Sequence, residues 1–543
     1  MARANEVLHK NWLVDGLHGV SVFLLIKLIS LFYIVPFTMM AGSSLVSEAG
    51  AVKDISTVAV EAACAGIPYL VFLMLSARKE KENVRTTLLI RRNAMQIGMT
   101  IAFIIAVLVL FFSKLFSTWI LTEQASAEEL LSLQRMLQVS AIGIYLAPWM
   151  YDLCGYLWGC GEGKIVFKTK IIEWIVRYSV LFLIGGIACA MMPKDSNPMG
   201  MISVIALIVG CAAGLLCLIQ ADQKNYAIQA AQARRQLQEA ESQSAIRQEL
   251  LHTSVVFFLS ALFGNASKII RAFFSIGSLT NMGISYSDAK LLYGIQAMNC
   301  DVWVEGGQLL SILIFALFVG RMEKAFCEKN GETFQQEMED WLNTAFYYFI
   351  PVSFLLFSMA RPIYYVFYGM DGFELGASLF ASNALLVFLS SMALACWLLL
   401  IRLKKYSEAV LYLFVGAVAE AVSFHFLVQS FGVNGFVYAS SLNCLVMIYL
   451  TFSKVSNLTD MDYTNVLLNG ARTVIASLGM NGAYVLLRTF VFDPMNTDRG
   501  NAVWQWLVMV ACCVLVYIFI MNLIGLRKKV HKIVENRSSK EEI

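Results

Sequence analysis

The stretch Ile284–Gly320, ISYSDAKLLYGIQAMNCDVWVEGGQLLSILIFALFVG, ends as an apolar helix yet carries Asp301 and Glu305 one helical turn apart. A membrane span needs about 20 mostly apolar residues. An ionisable side chain at its centre costs about 2.5–3.5 kcal/mol on insertion scales, so such residues face polar cavities or pair up. Two carboxylates four residues apart on a helix repel each other. This pair must therefore meet cations, carry a proton or line water. The adjacent Gly306–Gly307 allows close backbone approach or a break in the helix.

The rest of the chain has the same character. It is 543 residues long, 58% hydrophobic and 15% charged, with a mean hydropathy of +0.67. Soluble domains average about 25% charged. The composition is that of an all-α polytopic membrane protein. Fourteen candidate spans centre near residues 26, 65, 104, 146, 181, 209, 264, 306, 355, 389, 419, 444, 480 and 514. The first apolar run, Trp12 to Met40, is too long for the apolar region of a signal peptide and reads as a span. The twelve cysteines form no CxxC pair and no Cys/His cluster, and read as small apolar packers.

Basic charge alternates between connections. One set, comprising the N-terminus, Arg78–Arg92, Lys164–Lys170, Lys224–Arg247, Arg321–Lys329, Arg402–Lys405, Lys454–Arg472 and the tail from Arg527, holds 29 of the 41 lysines and arginines. The other set holds five: Lys53, Lys114, Lys194, Lys290 and Arg499. The positive-inside rule then expects both termini in the cytoplasm, which agrees with an even number of spans.

The halves also resemble each other. IKLISLFYIVP from Ile26 lies beside SKIIRAFFSIG from Ser267, pairing Lys27 with Lys268 at an offset of 241. The same offset pairs Lys164 with Lys405. Six spans per copy make a parallel repeat, and transporters built so hold substrate between the copies. The expected organisation is an N-lobe at 1–220, a polar cytoplasmic linker helix at 221–250, a C-lobe at 251–453, and two further spans with a basic tail at 454–543. The expected fold is thus two six-helix lobes in parallel pseudo-repeat plus two C-terminal helices.

The intramembrane charges supply the candidate site. Lys27 and Lys268 occupy equivalent places in the two copies, and two cations facing one cavity would attract an anion such as a pyrophosphate. The alternative is that each snorkels or neutralises a neighbouring carboxylate. Arg271, one turn beyond Lys268, joins Lys27 and Lys268 as a candidate substrate-binding residue. Glu61, Glu173, Arg177, Asp301 and Glu305 are candidates for ion coupling or cavity lining. Glu173 and Arg177, four apart, are expected to form a pair on one helix face. His425 reads as a hydrogen-bonded histidine. No phosphate-cradling loop, HExxH or nucleophile elbow is present, and no polar segment is long enough for an ATPase domain. The expectation is a non-enzyme that draws on an ion gradient, the membrane potential or its substrate's own gradient. No cofactor is expected beyond a coupling cation, Na+ or H+, and no nucleic-acid partner.

Several stretches carry a family resemblance. YSDAKLLYG (Tyr286–Gly294) resembles the segment entering the eighth span of the SpoVB/MurJ-like flippases of the multidrug/oligosaccharidyl-lipid/polysaccharide (MOP) exporter superfamily. KLISLFYIVPFTMMAG from Lys27 is similar to that family's first span, and AGIPYLVFLMLSARKEKEN from Ala65 to its second span and basic loop. LCGYLWGCGEGKIVFKTKIIEWIVR from Leu153 and ARPIYYVFYG from Ala360 resemble its fourth-to-fifth and ninth spans. The resemblance covers about residues 12–455. It implies a V of two six-helix lobes and alternating access to a central cationic cavity. It also implies flipping of a polyprenyl-pyrophosphate-linked glycan, lipid II or a capsule/exopolysaccharide unit, from the inner to the outer leaflet of the cell membrane. Lys27 then corresponds to a basic cavity residue. The sequence departs from the pattern where Gln296 stands near a family Arg, where Asp301 falls at a common Pro, and where Glu420 takes a frequently basic position. Those departures imply a more acidic cavity. Two further readings stay open: a cation-coupled exporter of amphiphilic small molecules, and a transport-dead scaffold for envelope-synthesis enzymes.

Overall fold

The computed structural model describes Tyr33, Phe37 and residues 46–533, apart from 79–82, 192–197, 237–238, 371, 460, 528–529 and 532. The described residues form helices and no strands. Thirteen of these helical stretches are long and apolar enough to cross a membrane. They match the second to fourteenth expected spans one for one. Apart from Tyr33 and Phe37, the first expected span lies outside the described residues, and Lys27 with it.

The chain divides into two compact units, Met1–Ala297 and Met298–Ile543. The first contains α1 (Val46–Cys64), α2 (Ile67–Arg78), α3 (Val84–Leu121), α4 (Ala127–Gly159), α5 (Gly163–Ser179), α6 (Gly185–Met191), α7 (Met199–Arg235), α8 (Gln243–Gly264), α9 (Ala266–Asn281) and α10 (Tyr286–Gly294). A π turn at Val180–Ile184 joins α5 to α6, and another at Ile295–Cys300 follows α10.

Local chemistry sets these boundaries. Asn83 caps α3 by accepting from the Thr86 backbone N–H. Ser126 and Glu129 form a reciprocal capping box at the start of α4, satisfying two backbone donors that the first turn leaves open. Between α1 and α2 the chain takes positive φ at Ala65 and Gly66. A Cβ on Gly66 would lie 2.3 Å from the Phe257 ring. Gly155 lets α4 approach α2 closely, since a Cβ there would lie 2.1 Å from the Pro68 carbonyl oxygen. α3 packs along α4 and turns Phe103, Ile104, Leu108 and Phe111 outward. That row of exposed apolar side chains is the surface a bilayer covers.

The 221–250 segment is not one linker helix. Its first part continues the sixth span unbroken to Arg235, and its last part opens α8 at Gln243. The ends of α7 and α8 are bound to the end of α2 and the start of α3. Arg91 pairs with Asp222 and lies over Tyr156 and Tyr226. Arg85 donates to the Ala233 carbonyl at 2.9 Å, and Arg78 reaches Glu241 at 3.0 Å and Glu249 at 2.8 Å.

The compact units also divide elsewhere than at 221–250. Helices α8, α9 and α10, expected in a C-lobe at 251–453, pack against α1 in the first unit. The physical reason is a set of charged contacts described below.

The second unit contains α11 (Asp301–Cys327), α12 (Gly331–Ser358), α13 (Ala360–Tyr368), α14 (Phe373–Arg402), α15 (Tyr406–Phe431), α16 (Asn434–Thr459), α17 (Thr464–Phe490) and α18 (Arg499–Leu523). Its main core joins Phe315 and Phe318 of α11 to Met338, Trp341 and Phe349 of α12, with Cys396 and Leu399 of α14. Of the two outcomes that the glycine pair allows, close approach or a helix break, the structure has the close approach. α11 runs straight through Gly306–Gly307, and a Cβ on Gly307 would lie 2.7 Å from Val387 of α14. The last two spans, α17 and α18, lean on α12 and on each other. Asn469 bonds Asn343 at 3.1 Å, and the Tyr517 hydroxyl donates to the Tyr347 carbonyl at 2.7 Å.

Candidate functional site

In the first unit, α1 presents a line of polar side chains to α9 and α10. Asp54 is fully buried and holds Arg271 of α9 through two oxygens, at 3.0 and 3.2 Å. The Tyr293 hydroxyl of α10 donates to the same carboxylate at 3.2 Å. Lys53 donates to the Ala297 carbonyl at 2.9 Å, inside the second π turn. Such turns widen the backbone hydrogen-bond ladder and are frequent at functional sites. Glu48 accepts from Ser132 at 3.0 Å and lies 3.9 Å from Lys290, which also pairs with Glu129. Glu61, two turns beyond Asp54, is exposed and accepts from Asn265 at 2.6 Å. Buried charges survive in a low-dielectric interior only when paired and hydrogen-bonded, and Asp54 with Arg271 meets that condition.

The sequence candidates fare differently here. Arg271 is brought to Asp54 in the second expected span. Lys268 is half-buried on α9, one turn from Arg271. Lys290, assigned from the sequence to an outer connection, takes part in the same line of contacts.

A second polar cluster sits on α5. Glu173 is buried and pairs with Lys170 at 2.8 Å. The expected pair with Arg177 is thus replaced by one three residues back, a spacing that also shares a helix face. The Lys170 ammonium lies 4.1 Å from the Tyr151 ring centre. The Arg177 guanidinium lies over Tyr33, which packs on Tyr178. Cation–π contacts of this kind add to the stabilisation of a desolvated cation.

In the second unit, Asp301 is buried and Glu305 half-buried, both in the first turns of α11 immediately after the π turn. Glu420 of α15 is buried and accepts from Ser440 and Asn443 of α16, each at 2.8 Å. Gly416 makes room for that Asn443 side chain. Sequence reasoning named Glu420 but missed Ser440 and Asn443, which are unremarkable in an apolar run. His425 is exposed and bonded to Gln429 at 2.8 Å. Among the described residues no group of three or more His, Cys, Asp or Glu could hold a metal ion.

Comparison with known proteins follows the same lines. Residues 306–496 match the sequence family described as lipid II flippase MurJ. No curated protein sequence matches the chain significantly. Among solved structures, the lipid II flippase MurJ in an inward closed conformation is similar at a TM-score of 0.61 and 13% identity. That match covers 94% of this chain and 98% of the other. An inward-facing multidrug-resistance MATE transporter of the MOP superfamily gives 0.54 at 12% identity, covering 80% and 99%. A MOP superfamily transporter from Pyrococcus furiosus, described as having a binding pocket of reverse polarity, gives 0.50 at 12%, covering 83% and 95%. At these identities the structural likeness is one of fold.

Proposed function

We propose that this chain, which shares its fold with the lipid II flippase MurJ and MATE transporters, is a flippase. Its substrate would be a polyprenyl-pyrophosphate-linked glycan, lipid II or a capsule/exopolysaccharide unit, moved from the inner to the outer leaflet by alternating access. The observation that carries the reading is the joint match. The fold aligns over 94% of this chain with a lipid II flippase, and residues 306–496 carry that family's sequence pattern. Such a substrate has a lipid tail that stays in the bilayer and a charged headgroup that must cross it. Intramembrane cations are what the headgroup requires. Lys268 and Lys27, at equivalent places in the two sequence copies, are the residues proposed to meet the pyrophosphate. Asp301 and Glu305 would line the water-filled path. The proposed location is the cell membrane, with both termini in the cytoplasm.

A reconstituted assay tests this. The purified protein is placed in vesicles containing a fluorescent polyprenyl-pyrophosphate disaccharide, and a membrane-impermeant quencher reports the outer-leaflet share. The expected result is full quenching in protein vesicles against half in empty ones, slowed in Lys268→Gln. Equal quenching in both would overturn the reading.

One specific observation favours a second reading. The buried Asp301 and Glu420 make the second unit more acidic than the resemblance implies. A cation-coupled exporter of cationic amphiphiles would use such groups. It predicts efflux of a lipophilic cation dye from the same vesicles.

A further inference from the structure

Asp152 stands apart from every other intramembrane carboxylate of the first unit. It lies in the latter half of α4, one turn after Pro148. It is 2% exposed, and among the described residues neither carboxylate oxygen has a hydrogen-bond partner. One oxygen rests against Gly98 of α3, where a Cβ would lie 2.1 Å away. Ile67 of α2 flanks the same glycine, 3.5 Å from that Cβ position. Asp54, Glu48, Glu61 and Glu173 all have donors, as described above.

Titratable groups on the helices packed around α4 include Cys64 and Glu61 of α1, Cys154 of α4 itself, and Lys170 and Glu173 of α5, which pair with each other. Gly98 of α3, and Ile67 of α2 beside that glycine, carry no charge. An ionised carboxylate in such surroundings costs several kcal/mol, and a group so placed neutralises instead. A metal cation would need several oxygen ligands, whereas the Asp152 carboxylate rests against a glycine and no group of metal-ligating side chains occurs among the described residues. A proton needs only the carboxyl itself.

We propose that Asp152 is a proton-binding site of the first unit, protonated while α2, α3 and α4 are packed around it and deprotonated when water reaches it. The fit against Gly98 makes the site sensitive to packing, because any separation of α3 from α4 hydrates the carboxyl. In the transport reading this names the coupling ion as H+. The coupling rests on that reading, while the protonation itself can be measured without transport.

The test uses the full chain in lipid nanodiscs, labelled with carboxyl-13C aspartate, and infrared spectroscopy across neutral pH. The expected result is a protonated-carboxyl stretch that shifts in D2O and is lost in Asp152→Asn. No such band, or the same band in Asp152→Asn, overturns the proposal. Should Asp152→Asn fail to fold, the wild-type protein is treated with dicyclohexylcarbodiimide, which reacts with protonated carboxyls in apolar surroundings. An adduct on the Asp152 peptide supports the site, and its absence overturns it. In the vesicle assay, coupling predicts a pH-dependent rate in the wild type that Asp152→Asn flattens. A band without pH-dependent transport overturns the coupling alone, and a band without any transport overturns the flippase reading alone.

Discussion

At the scale of single residues, the Asp54–Arg271 pair is the element most open to test. Removing one partner of a buried pair leaves an uncompensated charge and costs about 3–5 kcal/mol. Arg271→Ala should therefore lower the apparent melting temperature of the detergent-solubilised protein sharply. Asp54→Ala combined with Arg271→Ala should recover part of the loss. A single variant as stable as the wild type would contradict the account of this contact. The pair also shows what a sequence can say about a site. Hydropathy marks Asp54 and Arg271 as out of place in apolar runs, and cost alone says that each needs a partner. Nothing in the spacing says that residues 54 and 271 meet, because that depends on how α1 and α9 pack. Glu173 shows the same limit within one helix. Positions three before and four after it share its face, and only the side-chain packing decided for Lys170 over Arg177.

At the scale of helices, the spans were legible because each is a long apolar run. Their interruptions were not. The glycine pair at 306–307 allowed either a close approach or a helix break, and the irregularity in that span is the π turn at Ile295–Cys300, which no residue type announces. The 221–250 segment misled because its composition is polar throughout. It is nevertheless split between α7 and α8, with Arg85 and Arg91 bound to α7 and Arg78 to Glu241 in the connection. Two glycines separate packing from propensity. Gly155→Ala forces a methyl group against the Pro68 carbonyl and should cost about 1–3 kcal/mol, as overpacking does. Gly320→Ala, in mid-helix with nothing within 4 Å of the added Cβ, should stabilise by about 0.5–1 kcal/mol. Thermal unfolding of both variants checks the pair. Equal effects would show that α2 and α4 do not approach as described.

At the scale of the whole molecule, an apolar all-helical chain of MurJ-like fold leaves the substrate to the charges inside it. Those charges were visible in the sequence, and their sorting was not. Arg271 and Glu173 turn out to be engaged with Asp54 and Lys170, while Asp152 emerges only from its lack of partners among the described residues. The central claim is translocation of a lipid-linked glycan, and a cell provides its most direct test. A bacterium is depleted of its own lipid II flippase while this protein is expressed, and lipid II accessible from outside is measured. The account predicts restored accessibility, reduced by Lys268→Gln. Folded, membrane-inserted protein with no restoration of lipid II or of a capsule precursor would contradict it.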